Sequence, residues 1–213
     1  ARQTVKMAVF QTQKAERNIV MTAYTFNLQD VTAAMVGALS RGVSVTILVD
    51  KGQAGSGNCK FMASRLEELQ QAGAVVHLAG GPEGGIRYSG GLKYDGYLHA
   101  KTLRCDNLLI CGSTNWTSAS MANHEMSVLI NLSEEGVKRH QELVEGMLRT
   151  AEVCMPGDLQ AMDSWGRSGR APAEKRSASE ESHRRRFSLC FERQEARLQK
   201  ADESLRSSSS RRV

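Results

Sequence analysis

The sequence predicts an α/β protein in which a mixed, mostly parallel sheet is flanked by helices and followed by a disordered basic tail. Three observations carry this reading. Over the first 150 residues, short apolar runs alternate with segments whose apolar residues recur at helical spacing. No run of eighteen apolar residues occurs, so no transmembrane helix is expected. From Trp165 the composition turns abruptly to Ser, Arg and Glu with almost no aliphatic residues, which cannot bury a core. A chain of 213 residues with 40% apolar and 24% charged content has room for one well-buried domain, 1–164, and an extension, 165–213.

The elements follow in order. "ARQTVKMAVFQTQKAER" spaces its polar residues as a helix does and lacks the apolar centre of a secretory signal. "NIVMTAYTF" (18–26), rich in β-branched and aromatic residues, reads as a buried strand. "LQDVTAAMVGALSRG" is a helix that stops at Gly42. "VSVTILVD" (43–50) is a second buried strand, "CKFMASRLEELQQAG" a second helix and "AVVHLAG" a third strand. The Gly-rich "GGPEGGIRYSGG" (80–91) reads as a loop. "GYLHAKTLRC" and "NLLICGS" read as strands joined by a tight turn at Asp106-Asn107, and "EMSVLINL" (125–132) as another strand. Ser133, with Glu134 and Glu135 behind it, opens a closing helix in the way the helix dipole favours.

Charge and cysteine usage narrow the function classes. The net charge of +5 is concentrated in the tail, where residues 165–213 hold 13 Lys/Arg against 7 Asp/Glu, while residues 1–164 hold 15 against 16. The domain is near neutral, so the overall basicity does not argue for nucleic-acid binding by the folded part. The basic tail suits weak, salt-sensitive contact with RNA or an anionic membrane. Ser188 in "RRRFSL" is a candidate site for a basophilic kinase. Cys59, Cys105, Cys111, Cys154 and Cys190 are odd in number and without CxxC spacing, which argues against a disulfide framework and against a thiolate zinc site. An intracellular, cytoplasmic-side location follows. The chain begins with Ala1, and a preceding anchor would place it on the mitochondrial surface instead.

One stretch stands out chemically. In "YLHAKTLRCDNLLICGSTNW" (97–116), His99 and Lys101 are two residues apart, so on a strand they project from one face. The next strand ends in Gly112-Ser113-Thr114-Asn115, which brings a hydroxyl, a side-chain amide and backbone N–H groups to the sheet edge. An imidazole nucleophile, an ammonium and neutral donors suit a phosphate that gains negative charge during reaction.

The pattern His99-x-Lys101, four residues, Asp106, then Gly112-Ser113-x-Asn115 closely resembles the motif of the phospholipase D superfamily, and Glu125 stands where that family has an acidic residue about ten positions after the Asn. Five residues separate Asp106 from Gly112 where the family usually has six, a difference that a shorter hairpin turn absorbs. A single motif in a small chain is similar to the branch of bacterial endonucleases and mitochondrial phospholipase D (Zucchini).

The resemblance implies a phospholipase D-like fold and a site completed by a homodimer, with His99 of each subunit facing the other. One His99 attacks phosphorus to form a phosphohistidine, and the other protonates the leaving oxygen and then activates water. Lys101 and Asn115 hold the non-bridging oxygens with Ser113 nearby. Glu125 orients the far nitrogen of His99, while Asp106 and Gly112 are structural. No metal and no cofactor are implied. The substrate is single-stranded nucleic acid or, as the second reading, a phospholipid such as cardiolipin. A non-catalytic binding module is the third.

Outside the motif, Arg87, Tyr88, Lys93 and Tyr94 are candidate rim contacts to substrate phosphates or bases. His77 and His124 read as structural and surface residues, and Trp116 as packing under the Gly-Ser-x-Asn turn.

Overall fold

The structure, a computed structural model, describes residues 1–55, 59, 61–82, 85–89, 92–155 and 157–159, with the backbone alone described at 55, 86–89 and 92–95. The expectations for the tail, including Ser188, lie outside the described residues.

Strands β1, β2, β3 and β8 form where β-branched apolar runs meet a partner. The strands are β1 (Asn18–Ala23), β2 (Ser44–Asp50), β3 (Val75–Ala79), β4 (Ile86–Ser89), β5 (Leu92–Asp95), β6 (Thr102–Cys105), β7 (Leu108–Gly112), β8 (Ser127–Asn131) and β9 (Glu152–Val153). The helices are α1 (Arg2–Lys14), α2 (Gln29–Ser40), a single turn α3 (Lys51–Gly55), α4 (Met62–Gln71) and α5 (Glu134–Leu148). Seven strands make one sheet in the order β8-β7-β6-β1-β2-β3-β9, and β4 and β5 form a separate hairpin.

The sheet is mixed, as expected, but the expectation that it is mostly parallel holds only for β1–β2–β3. The pairings β1–β6, β6–β7, β7–β8 and β3–β9 are antiparallel. An apolar run reads alike in either direction once both faces are covered, so composition does not reveal this.

Helices α1, α2 and α4 cover one face. Ile19, Met21, Ile47, Val49, Val76, Leu78, Leu103 and Ile110 of the sheet pack there against Val5, Ala8, Val31, Met35, Leu66 and Leu69. On the other face Val144 of α5 packs with Leu48, Ala79 and Leu98. Ser133 caps α5, its hydroxyl accepting the Gly136 N–H at 3.2 Å. Gly42 ends α2 at φ +88°, a left-handed conformation that a Cβ would strain, and its N–H closes on Leu39 O at 2.9 Å.

Three further differences from the sequence reading concern connections. The Gly-rich segment read as a loop contains β4. The run 18–26 leaves the sheet after Ala23, and Phe26 pairs instead with Trp116 in an isolated bridge. The strand read as 96–105 begins only at Thr102, which changes how the motif is presented.

Candidate active site

The motif residues share one end of the sheet because of strand direction. Parallel β1, β2 and β3 all point their C-terminal ends there, and β6 runs back along β1 with Thr102 beside Thr22. Residues before Thr102 therefore lie beyond the C-terminal end of β1. The end of β7 and the start of β8 meet at the same edge, with Gly112 opposite Ser127. In open α/β sheets this end gathers ligand-binding loops.

His99 and Lys101 do not project side by side from a strand, as the period-two reading expects. The chain from Leu98 to Lys101 is irregular, His99 is exposed, and Lys101 is 6% exposed. Hydrogen bonds from β2 and from within the segment hold it out of the ladder. Asp50, at the C-terminal end of β2, accepts the Leu98 N–H on Oδ2 at 2.8 Å. Lys101 Nζ turns back and donates to the His99 carbonyl at 2.7 Å. The regular ladder resumes at Thr102, whose N–H donates to Thr22 Oγ1 at 3.1 Å.

Tyr24, just past β1, completes the cluster. Its ring meets the His99 imidazole edge-to-face at 4.7 Å between centroids, and Lys101 Nζ lies 5.3 Å from the ring centre, within cation–π range. Tyr97 packs on the same ring at 5.4 Å. Burial pushes the Lys101 ammonium below its usual pKa, and the charge of Glu125 works in the opposite direction.

The Gly-Ser-x-Asn turn is built by contact with β8. A Cβ on Gly112 would fall 2.2 Å from Met126 O and 2.6 Å from Ser127 Cα, so only glycine lets β8 approach. Ser113 Oγ donates to Glu125 Oε2 at 2.5 Å and accepts the Met126 N–H at 3.1 Å. Thr114 Oγ1 bonds Ser127 Oγ at 2.9 Å. Trp116 is buried beneath the turn, as the sequence suggests, and donates from Nε1 to Thr22 O at 3.2 Å. Asn115 Oδ1 is buried and accepts no hydrogen bond among the described residues.

Glu125 is placed differently from the reading that makes it His99's orienting partner. Within one chain it accepts from Ser113 and, at 3.3 Å, from Asn123 Nδ2, and no hydrogen bond joins it to the imidazole. The Ser113 hydroxyl is the main reason that its carboxyl sits below the usual range.

Asp106 lies at the opposite end of the sheet from His99. It occupies the β6–β7 turn at φ +53°, and its carboxylate accepts the backbone N–H groups of Glu16, Arg17 and Asn18 at 2.9, 3.0 and 2.9 Å. The turn has only two residues, with Cys105 opposite Leu108, which is how five residues suffice between Asp106 and Gly112.

Of the remaining residues, His77 is buried on β3, and His124 is exposed. The side chains of Arg87, Tyr88, Lys93 and Tyr94 lie outside the described ones. Sequence reasoning missed Asp50 and Tyr24. Their only signal is position, each near the C-terminal end of a parallel strand. Among the described residues no group of three or more His, Cys, Asp or Glu is placed to hold a metal ion, and no helix is long and apolar enough to cross a membrane.

An exposed imidazole beside a partly desolvated ammonium, a hydroxyl and an amide can engage a phosphate group. Fold and residues together define a phospholipase D-like α/β protein. Residues 10–148 match the family profile described as cardiolipin synthase, PLD-like domain, and the chain belongs to the phospholipase D-like family.

It is similar to the phospholipase D of Rickettsia prowazekii, with 36% identity over 127 residues covering 59% of this chain and 53% of that protein. The phospholipase D of Rickettsia conorii is 32% identical over 131 residues, 61% of this chain and 56% of that one. The chain thus spans about half the length of the curated relatives it matches. Among solved structures, Nuc from Salmonella typhimurium, described as a phospholipase D family member, superposes with a TM-score of 0.59 at 20% identity, over 70% of this chain and 90% of that one. NucT from Helicobacter pylori gives 0.55 at 18% identity, with the same coverage. At these identities the likeness is one of fold.

Proposed function

We propose that this chain is a metal-independent phosphodiesterase hydrolase whose nucleophile is His99 and whose site is completed by a second copy of the chain. The observation that carries the reading is the exposed His99 imidazole, packed on Tyr24 while Lys101 holds the His99 carbonyl, at the sheet end where Ser113 and Asn115 also lie.

In this mechanism an unprotonated imidazole nitrogen of His99 attacks phosphorus, an N–P bond forms, and the bond to the leaving oxygen breaks. The partner's His99 gives its proton to that oxygen. It then takes a proton from water, whose oxygen attacks phosphorus and releases His99. The ammonium of Lys101 and the amide of Asn115 face the non-bridging oxygens, where charge grows.

A second copy is supported by an uncovered sheet face. Val128 and Ile130 of β8 lie on the same face as Leu109 and Arg104, by register with β7 and β6. Helix α5 packs over β2 and β3 and reaches β6 through His140 and Arg104, but Val128 and Ile130 stay 49% and 40% exposed and Met126 79%. This apolar strip adjoins Glu125 and Ser113, so a two-fold contact there brings two sites together.

Single-stranded nucleic acid is the substrate class we favour. The β4–β5 hairpin leads into the site through Gly96 and Tyr97, and its register sets Arg87 opposite Tyr94 and Tyr88 opposite Lys93. In sequence, Arg87, Tyr88, Lys93 and Tyr94 are cations and rings of the kind that hold phosphates and bases. A phospholipid is the second reading, supported by relatives named phospholipase D.

The deciding experiment is hydrolysis of bis(p-nitrophenyl) phosphate in EDTA by wild type and His99→Ala. Turnover by the wild type alone supports the reading. Turnover by both places the nucleophile elsewhere, and turnover by neither removes the proposal. Single-stranded DNA, RNA and cardiolipin vesicles then separate the substrate classes.

A further inference from the structure

Asp50 is a fully buried carboxylate at the C-terminal end of β2. Oδ1 accepts the Gln53 N–H at 2.9 Å, an ordinary cap for the short helix α3. Oδ2 does something else: it reaches across 48 positions of sequence to the Leu98 N–H at 2.8 Å. From the other side Lys101 Nζ holds the His99 carbonyl, so the Leu98–His99 segment is gripped at both ends while Tyr24 packs on the imidazole.

Among the described residues no lysine or arginine forms an ion pair with Asp50. Burial raises its pKa, and the opposing influences are backbone N–H groups and the charge of His99. Two N–H groups need two acceptor oxygens, which a carboxylate supplies and an amide does not.

We propose that Asp50 is a positioning residue for His99: it fixes the nucleophile's backbone through the Leu98 N–H. The inference rests on the phosphodiesterase reading. The other titratable groups around His99 are Tyr24 beyond β1, Tyr97 and Lys101 on its own segment, and Glu125 before β8, which acts on Lys101.

The test is Asp50→Asn, which keeps the shape and leaves one of the two N–H groups without an acceptor. With bis(p-nitrophenyl) phosphate, kcat falls about 10- to 100-fold, as a displaced or unsupported reacting group predicts, while KM stays within about twofold. Asp50→Glu, which keeps both acceptors on a longer arm, also lowers kcat, and decides the matter should Asp50→Asn not fold. Wild-type kcat in Asp50→Asn or in Asp50→Glu, or a loss that appears in KM instead, overturns the proposal.

If the wild type hydrolyses no diester, the functional reading fails by itself, and the His99 imidazole NMR signals still test this inference. Signals displaced in Asp50→Asn sustain it, and superimposable spectra end it.

Discussion

Replacing Asp106 with alanine separates architecture from chemistry within the motif. The carboxylate holds three N–H groups at the junction of α1 and β1. Two of these, on Glu16 and Arg17, are exposed and regain water when the carboxylate is lost, whereas Asn18 sits half-buried at the start of a central strand. Taking about 0.5–1 kcal/mol for each exposed bond and about 1.5 for the third gives roughly 3 kcal/mol. Alanine at φ +53° adds about 1 kcal/mol of backbone cost. A loss of about 4 kcal/mol lowers the melting midpoint of a domain this size by about 8–16 °C. Asparagine tolerates the turn and keeps one acceptor, so Asp106→Asn loses about half as much. The assay is urea unfolding followed by circular dichroism, paired with kcat measured where each variant is folded. Because His99 lies at the other end of the sheet, kcat at saturation stays near wild type. Unchanged stability with abolished turnover would refute this reasoning and return Asp106 to the chemistry.

Two further outcomes follow from burial and exposure. Ile130→Lys places a charge on the uncovered strip and leaves monomer stability within about 0.5 kcal/mol, since the position is 40% exposed; sedimentation shifts from dimer to monomer and kcat falls with it, and an active monomeric variant would sink the shared site. His77 and His140 are held neutral by burial, with pKa values lowered from 6.5 to about 4, His140 also by the Arg104 charge beside it. The unfolded chain takes up their protons first as pH falls, so stability is complete above pH 6.5 and declines between pH 6.5 and about 4, by up to about 3 kcal/mol for each histidine. His140→Gln flattens its share of that decline in unfolding curves taken at a series of pH values, and an equally steep decline in the variant assigns the acid sensitivity elsewhere.

By itself the sequence determined the elements whose signal is local. The runs that became β1, β2 and β3, the helices between them, the Gly42 stop and the Ser133 cap are each set by residues a few positions apart, where side-chain periodicity and capping act. The motif was legible for the same reason, as polar identities at fixed spacing among apolar residues. Outside the hairpin at Asp106-Asn107, only the tertiary structure decided strand direction, because buried strands carry no mark of the way they run. It also turned part of the Gly-rich loop into β4, through pairing with β5. His99 was lifted out of a regular strand by a carboxylate 48 residues before Leu98 in the chain, and Glu125 was given to Ser113 rather than to His99. Hydrogen bonds between distant segments form only once the sheet has set its register, and no local pattern encodes which partner will be within reach.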